Sequence, residues 1–100
     1  MTVIVTRDVE GRFRGFLASV MLEIAPGVYT SSNMSKGVRD RVCEVLNDWW
    51  HFHNNGSIVA TWKDSTQPSG LGLFILGCPP KEIVSADGVL LSKNVDYKDL

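Results

Sequence analysis

Cysteine is scarce in this chain, and the segments that mark secreted or membrane proteins are missing. Its 100 residues include only Cys43 and Cys78, too few for a disulfide framework and consistent with a reducing compartment. The sequence shows neither a cleavable signal sequence nor an apolar run near the roughly 18 residues of a membrane span. We therefore expect a soluble, cytoplasmic protein.

An excess of charge of one sign is also missing. The net charge is −1, which excludes a histone-like basic protein. The charges are nevertheless unevenly placed, because six of the ten basic residues precede residue 42 and only four acidic residues do. The sequence predicts a local basic patch in its first part, formed by Arg7, Arg12, Arg14, Lys36, Arg39 and Arg41.

The motifs of common enzyme classes are absent as well. No glycine-rich loop of the Walker or dinucleotide type occurs, and Gly70-Leu71-Gly72 reads as the end of a hairpin loop. His51 and His53 have no third metal ligand at a recognised spacing, and no nucleophile has a plausible base. Asp8, which follows the first strand, could hold a divalent cation only if a second subunit supplied another carboxylate.

Hydrophobic periodicity predicts the order β-α-β-α-β-β-β. An apolar strand covers about residues 2–7, and apolar residues from Phe13 to Ile24 then recur at helical spacing until Pro26-Gly27. A short strand at 28–30 precedes a helix capped by Ser35 that ends near the turn at 54–56. The remaining strands are predicted at 57–63, 71–76 and 89–91, after turn-forming residues.

This order predicts an α+β sandwich of ferredoxin-like type, with two helices on one face of a mainly antiparallel sheet. We expect a ferredoxin-like domain at residues 1–93 and a C-terminal tail at 94–100. A chain of this size buries only about two thirds of its unfolded surface. A homodimer is therefore expected.

The sequence Arg12-Phe13-Arg14-Gly15 lies where the first helix begins. The first N–H groups of a helix lack internal partners and carry partial positive charge. On a helical wheel the two arginines flank Phe13, which points inward. Arg12 and Arg14 are therefore candidate phosphate contacts, although arginines on the flanks of an amphipathic helix are commonly only solvated charges.

These residues carry a resemblance to a known family. An R-x-R-G sequence followed by Leu22-Glu23-Ile24-Ala25-Pro26-Gly27-Val28-Tyr29 resembles CRISPR-associated protein 2 of the type I-E branch, and the similarity covers about residues 2–92. The resemblance implies a ferredoxin-like homodimer that bridges dimers of CRISPR-associated protein 1, the integrase of spacer acquisition, and that binds duplex prespacer DNA.

The resemblance also implies roles for individual residues. Arg12 and Arg14 match the two helix-start arginines that hold phosphates, and Lys81 lies near one of two further DNA-facing arginines. Pro80 stands at the other, which weakens that second patch. To these DNA-binding candidates we add Lys36 and Arg39. The candidates for contact with the integrase are in the C-terminal segment: Val89, Leu90, Leu91 and Tyr97.

Two other functions remain open at this point. Other branches of the family resemble metal-dependent nucleases with an Asp at the end of the first strand, where this chain has Arg7, one position before Asp8. Because neighbouring strand residues face opposite ways, the one-residue shift would turn Asp8 away from the position of a metal ligand. The resemblance to the type I-E branch therefore implies a scaffold that needs no catalytic residue and no cofactor, with a nuclease using Asp8 and Mg²⁺ as the alternative. A ferredoxin-like domain that senses a small molecule would fit the fold but would leave the arginines without a role.

Overall fold

The protein is built around a five-stranded antiparallel sheet. The computed structural model describes residues 1–50, 56–77 and 81–94. In the sheet the strands follow the order β2-β3-β1-β4-β5, and each neighbouring pair is antiparallel. The strands are β1 (Thr2–Arg7), β2 (Leu22–Ala25), β3 (Val28–Ser31), β4 (Ser57–Lys63) and β5 (Leu71–Gly77).

Two helices connect these strands and cover one face of the sheet. Helix α1 (Gly11–Val20) follows β1, and α2 (Lys36–Trp49) follows β3. The predicted Ser35 cap is confirmed, because its hydroxyl accepts a hydrogen bond from the Val38 N–H at 3.2 Å. The α+β class is thus confirmed, and the strand order is compatible with a ferredoxin-like fold.

The hydrophobic core lies between the helices and the inner face of the sheet. Alternate residues of the central strands point to this face, and they meet the apolar stripes of both helices. One cluster contains all the buried hydrophobic side chains of the described residues: Ile4, Phe13, Leu17, Met21, Tyr29, Val42, Leu46, Ile58 and Ala60.

The opposite face of the sheet also carries aliphatic side chains in register. Val5 pairs with Val59 across β1 and β4, and Val59 pairs with Ile75 across β4 and β5. These side chains face away from the core and the helices, since Val5 and Ile75 remain 42% and 40% exposed. We call this surface, with Val3, Val5, Val59, Leu73 and Ile75, the open sheet face.

The first helix is shorter than the sequence predicts. It ends at Val20, where Met21 takes an extended conformation and donates its N–H to the Leu17 carbonyl at 2.8 Å. Residues Leu22–Ala25 form strand β2 instead, with Leu22 and Ile24 more than half exposed. The prediction that the helix continues to Pro26 was wrong. The spacing of Ile24 matches a helical stripe, but these residues form ladder hydrogen bonds with β3, which local periodicity does not reveal.

The C-terminal part forms a separate two-stranded hairpin. Strands β6 (Lys81–Ala86) and β7 (Val89–Asn94) pair with each other, so the last predicted strand is confirmed and β6 was missed. The connecting residues Asp87 and Gly88 both have positive φ, +51° and +78°, as a two-residue type I′ turn requires. The expected boundary at 93/94 falls at the end of β7.

Some expectations fall on residues outside this description. They are the end of the second helix near 54–56, which in the described part ends at Trp49, and the roles of His51, His53, Cys78, Pro80 and the tail. Neither α1 nor α2 has the length and hydrophobicity that a membrane-spanning helix needs.

Candidate nucleic-acid interface

The start of α1 combines the positive end of the helix dipole with two arginines and the acidic Glu10. Glu10 occupies the N-cap position with an extended backbone, but its side chain makes no capping hydrogen bond, and the first turn contains no acidic residue. The first N–H groups of α1 therefore lack a side-chain cap, and the helix dipole adds partial positive charge. Phe13 is fully buried while Arg12 and Arg14 are exposed, so the predicted orientation of the three side chains is confirmed.

Arg12 is held against the C-terminal end of α2. Its guanidinium donates a hydrogen bond to the Trp49 carbonyl at 3.0 Å and lies 5.1 Å from the centre of the Trp49 ring. A looser ion pair joins Arg12 Nε to the Glu10 carboxylate at 3.5 Å. A phosphate at Arg12 would therefore share the guanidinium donors with protein groups that already fix its position.

An aromatic cluster packs at this junction between the two helices. The Phe13 ring contacts Trp49 and Trp50 edge-on, with centroids 6.0 and 5.8 Å away, and Phe16 contacts Trp49 at 5.4 Å. Edge-on aromatic pairs add stability beyond their buried area. Trp49 and Trp50 are half-buried and pack against the hydrophobic core.

Arg14 points to a different neighbourhood. Among the described residues it forms no ion pair, and its exposed side chain lines a notch together with Thr6, Asp8, Val9, Pro26 and Gly27. We call this the Arg14 notch. The notch lies where the end of β1 meets the turn between β2 and β3. The fold thus supplies a small concave surface lined by Arg14 and by Asp8, whose carboxylate pairs loosely with Arg7.

The β2–β3 turn beside the notch is tightly built. Gly27 has φ +76°, and a Cβ atom there would lie 2.8 Å from the Thr6 carbonyl oxygen, so glycine is required. The Gly27 carbonyl accepts hydrogen bonds from the Thr6 N–H at 2.7 Å and from the Thr6 hydroxyl at 3.0 Å. Glu23 accepts from the Gly27 N–H at 3.0 Å.

Tyr29 lies beneath this region. It is fully buried, and its hydroxyl has no hydrogen-bond partner among the residues that the structure describes. Burial raises the pKa of Tyr29, the nearby Glu23 carboxylate raises it further, and the Arg14 guanidinium lowers it. In the sequence, Glu23 and Tyr29 stand only within the family motif and Gly27 stands only as a helix breaker, because their place around the notch depends on the tertiary structure.

The basic residues of the first part do not form one patch. Ser31 at the end of β3 pairs with Thr2, whereas α1 begins beyond the other end of β1. Lys36, the exposed first residue of α2, therefore lies at the end of the sheet opposite Arg12. The 14 residues of α2 span about 20 Å between these ends. The prediction of a single local patch was wrong because sequence proximity does not place two antiparallel helix starts together.

Arg39 is largely occupied by packing. Its side chain is only 14% exposed, and its guanidinium lies 4.3 Å from the centre of the Trp62 ring. Within the described ranges its buried Nε has no hydrogen-bond partner. This placement supports a role in fixing α2 on the sheet. Lys81 begins β6, and its side chain lies outside the described set.

Asp8 lies just beyond β1 in an unusual backbone conformation. It has φ +52°, is exposed, and forms a loose ion pair with Arg7 at 3.9 Å. Within residues 1–50, 56–77 and 81–94, no group of three His, Cys, Asp or Glu side chains could hold a metal ion. A cation at Asp8 would thus need ligands from outside these residues.

The β6–β7 hairpin exposes the apolar residues predicted to bind a partner. Val89 is 57% exposed and Leu91 is 52% exposed, while Leu90 is partly buried. Leu90 and Ser85 face Trp62 and the loop after β4 across a cleft. Tyr97 lies outside the part of the chain that is described.

Comparison with protein families gives one match that spans this architecture. Residues 1–91 match the family described as CRISPR-associated protein (Cas_Cas2CT1978). The match includes the two arginines, the β2–β3 turn and most of the hairpin. The chain is therefore a member of this family of CRISPR-associated proteins and has a role in the CRISPR system.

Proposed function

We propose that this protein is a non-catalytic, DNA-binding scaffold of CRISPR spacer acquisition, of the type I-E kind. The observation that carries the proposal is the exposed pair Arg12 and Arg14 at an uncapped helix start in a chain that belongs to a CRISPR-associated family over residues 1–91. A cation beside a helix N-terminus is suited to a phosphate group.

The proposed ligand is duplex prespacer DNA, bound through its backbone. Arg14 is exposed for such a contact, and Arg12 is fixed nearby by Trp49. Contacts to phosphate position DNA without reading its bases. Binding should therefore be independent of sequence and should weaken with salt.

The scaffold would act as a homodimer. The open sheet face supports this proposal, because its aliphatic side chains would gain stability from burial against a second copy. Packing of one sheet on another at about 10 Å is a common way to cover such a face. The second copy would also bring its own α1 start, with a second pair of arginines for the duplex.

The proposed protein partner is the integrase, CRISPR-associated protein 1. Support comes from the hairpin, where the exposed Val89 and Leu91 lie on a two-stranded unit separate from the main sheet. A strand with a free edge can pair with a strand of another protein. Truncation after Lys93 would test whether the tail, including Tyr97, adds to this contact.

Titration of fluorescently labelled duplexes tests the DNA-binding function. Two duplexes of equal length and unrelated sequence should bind with similar dissociation constants, both rising steeply between low and high salt. Discrimination between the two sequences, or no binding at any salt concentration by the protein with its integrase, would contradict the proposal.

A metal-dependent nuclease is the competing function, with Asp8 of each copy contributing to a Mg²⁺ site. The scaffold proposal expects Asp8→Ala to leave integration of prespacers by the assembled complex unchanged, and it expects duplex DNA to stay intact with Mg²⁺. Loss of integration by Asp8→Ala, with dimerisation and DNA binding preserved, would favour the nuclease. Asp87→Asn, at the hairpin turn, is the matched control for removal of one carboxylate.

A further inference from the structure

Glu23 has a place in the structure that packing alone does not explain. Its carboxylate accepts the Gly27 N–H at 3.0 Å, and the Gly27 carbonyl is bound in turn by Thr6. A neutral side chain with an oxygen acceptor could make the same hydrogen bond. The negative charge of Glu23 is therefore not required to close the turn.

That charge lies beside the Arg14 notch. Gly27 lines the notch together with Arg14, and Glu23 is bonded directly to Gly27. In the β2–β3 ladder Glu23 lies opposite Tyr29. Burial raises the pKa of the Tyr29 hydroxyl, the Glu23 carboxylate raises it further, and the Arg14 guanidinium lowers it.

The Glu23 carboxylate and the Arg14 guanidinium adjoin the same notch but do not pair with each other. No ion pair joins Glu23 to Arg14 in the described ranges, where the ion pairs involve Arg7, Arg12, Arg39, Arg41 and Lys93. The Arg14 donors consequently remain available to a ligand. The field of a nearby carboxylate still lowers the positive potential that a phosphate would meet in the notch.

We propose that Glu23 limits the affinity of the Arg14 notch for a DNA phosphate. The inference depends on the proposed DNA-binding function and adds to it a residue that opposes DNA binding. Glu23 acts through Arg14 and touches no DNA itself. Its place in β2 and its hydrogen bond to the Gly27 N–H hold it beside the notch, so the attenuation is built into the fold.

Glu23→Gln separates the charge of this residue from its hydrogen bond. The glutamine carbonyl oxygen can still accept the Gly27 N–H, so the melting temperature should be unchanged. With duplex DNA at low ionic strength, where exposed charges are least screened, the dissociation constant should fall by about twofold to fivefold. Asp87→Asn removes one negative charge from the hairpin turn and should leave DNA affinity nearly unchanged.

A double-mutant cycle with Arg14→Ala shows whether the effect passes through Arg14. Glu23→Gln should tighten DNA binding in the wild-type background and have little effect in the Arg14→Ala background. An equal gain in both backgrounds, an equal gain from Asp87→Asn, or no gain at all would overturn the inference while leaving the DNA-binding function intact. If the wild-type protein with its integrase binds no duplex, the proposed function fails, and this inference fails with it.

Discussion

At the scale of single residues, the two arginines at the start of α1 have different surroundings. Arg12 is bound to the Trp49 carbonyl and stacked on its ring, whereas Arg14 stands in a notch without an ion pair in the described structure. In the sequence motif the two arginines are equivalent. Their contacts predict that substitution of each will have a different thermodynamic signature.

Arg14→Ala should weaken binding of all duplexes to the same degree. Loss of one phosphate contact lowers the slope of log K against log salt by about 0.9 per copy, so about twice that in a dimer. The melting temperature of the Arg14→Ala variant should stay close to that of the wild type, because the Arg14 side chain is exposed. Salt titrations by fluorescence anisotropy measure the slope, and a loss confined to one DNA sequence would contradict a phosphate contact.

Arg12→Ala should also destabilise the fold. It removes a charged hydrogen bond to a carbonyl and two contacts with aromatic rings, together about 1–2 kcal/mol. In a domain of this size that lowers the melting temperature by about 4–8 °C per kcal/mol. Thermal unfolding followed by circular dichroism checks this, with Arg41→Ala, an exposed arginine on α2, as control. Equal melting temperatures for the two variants would show that the Trp49 contact adds no stability.

Tyr29 and Cys43 predict how stability changes at alkaline pH. Burial raises the pKa of the Tyr29 hydroxyl above its ordinary 10.0 and that of the Cys43 thiol above its ordinary 9.0. In the folded state both groups hold their protons to higher pH than in the unfolded chain. Their contribution is thus complete below these ordinary values and is lost as pH rises through the folded pKa values.

Tyr29→Phe should therefore reduce the loss of stability above about pH 10. At neutral pH it should leave the free energy of unfolding unchanged or increase it by up to about 1 kcal/mol, since the buried hydroxyl finds no hydrogen-bond partner in the described part of the chain. Urea unfolding at pH 7 and between pH 9 and 11 measures both effects. A loss of more than about 2 kcal/mol at pH 7 would mean that the hydroxyl makes a stabilising contact.

At the scale of secondary-structure elements, the short strand β2 and its turn determine the shape of the notch. β2 is an edge strand with a bulge between Glu23 and Ala25, and its turn reaches the end of β1 through Gly27. A helix continued to Pro26, as the sequence predicted, would have carried Glu23 away from Thr6. The correction to β2 is thus also what brings an acidic residue beside Arg14.

Gly27→Ala should destabilise the protein by about 1–3 kcal/mol, because φ is +76° and the added Cβ would collide with the Thr6 carbonyl. It should weaken DNA binding as well, since the turn lines the notch. Gly70→Ala is the matched control: it has a similar φ of +78° but no atom within 4 Å of the added Cβ. If both variants lose the same stability, the contact with Thr6 contributes nothing beyond the backbone strain.

At the scale of the whole molecule, the sheet has one face covered by helices and one face that neither helix covers. Val5→Glu or Ile75→Glu on the open sheet face should convert a dimer to a monomer that remains folded. Both side chains are already about 40% exposed in the single chain, so charge is costly there only when a second copy covers it.

Light scattering and sedimentation at micromolar concentration measure this change. Val38→Glu is the control, because Val38 is 51% exposed on α2 and a glutamate there suits the capping position facing Ser35. A wild-type protein that is monomeric at these concentrations would contradict the dimer. If both sheet-face variants remain dimeric, the dimer interface must lie on another surface, such as the hairpin.

Local sequence signals determined much of this protein. A nearly continuous apolar run identified β1, and apolar alternation identified β4. Helical spacing identified α1 and α2, Ser35 marked a helix start, and Asp87-Gly88 marked a turn. The inward Phe13 between two outward arginines followed from helical geometry alone. These features depend on residues within a few positions of one another, so periodicity and capping chemistry suffice to find them.

The tertiary structure decided what is distant along the chain. It placed Arg12 against Trp49 and Arg14 beside the Gly27 turn. It also placed Lys36 at the far end of the sheet and buried most of Arg39 against Trp62. It also made β2 a strand through pairing with β3. Each of these outcomes depends on contacts between segments that meet only when the sheet assembles, and a local pattern carries no information about which segments will meet.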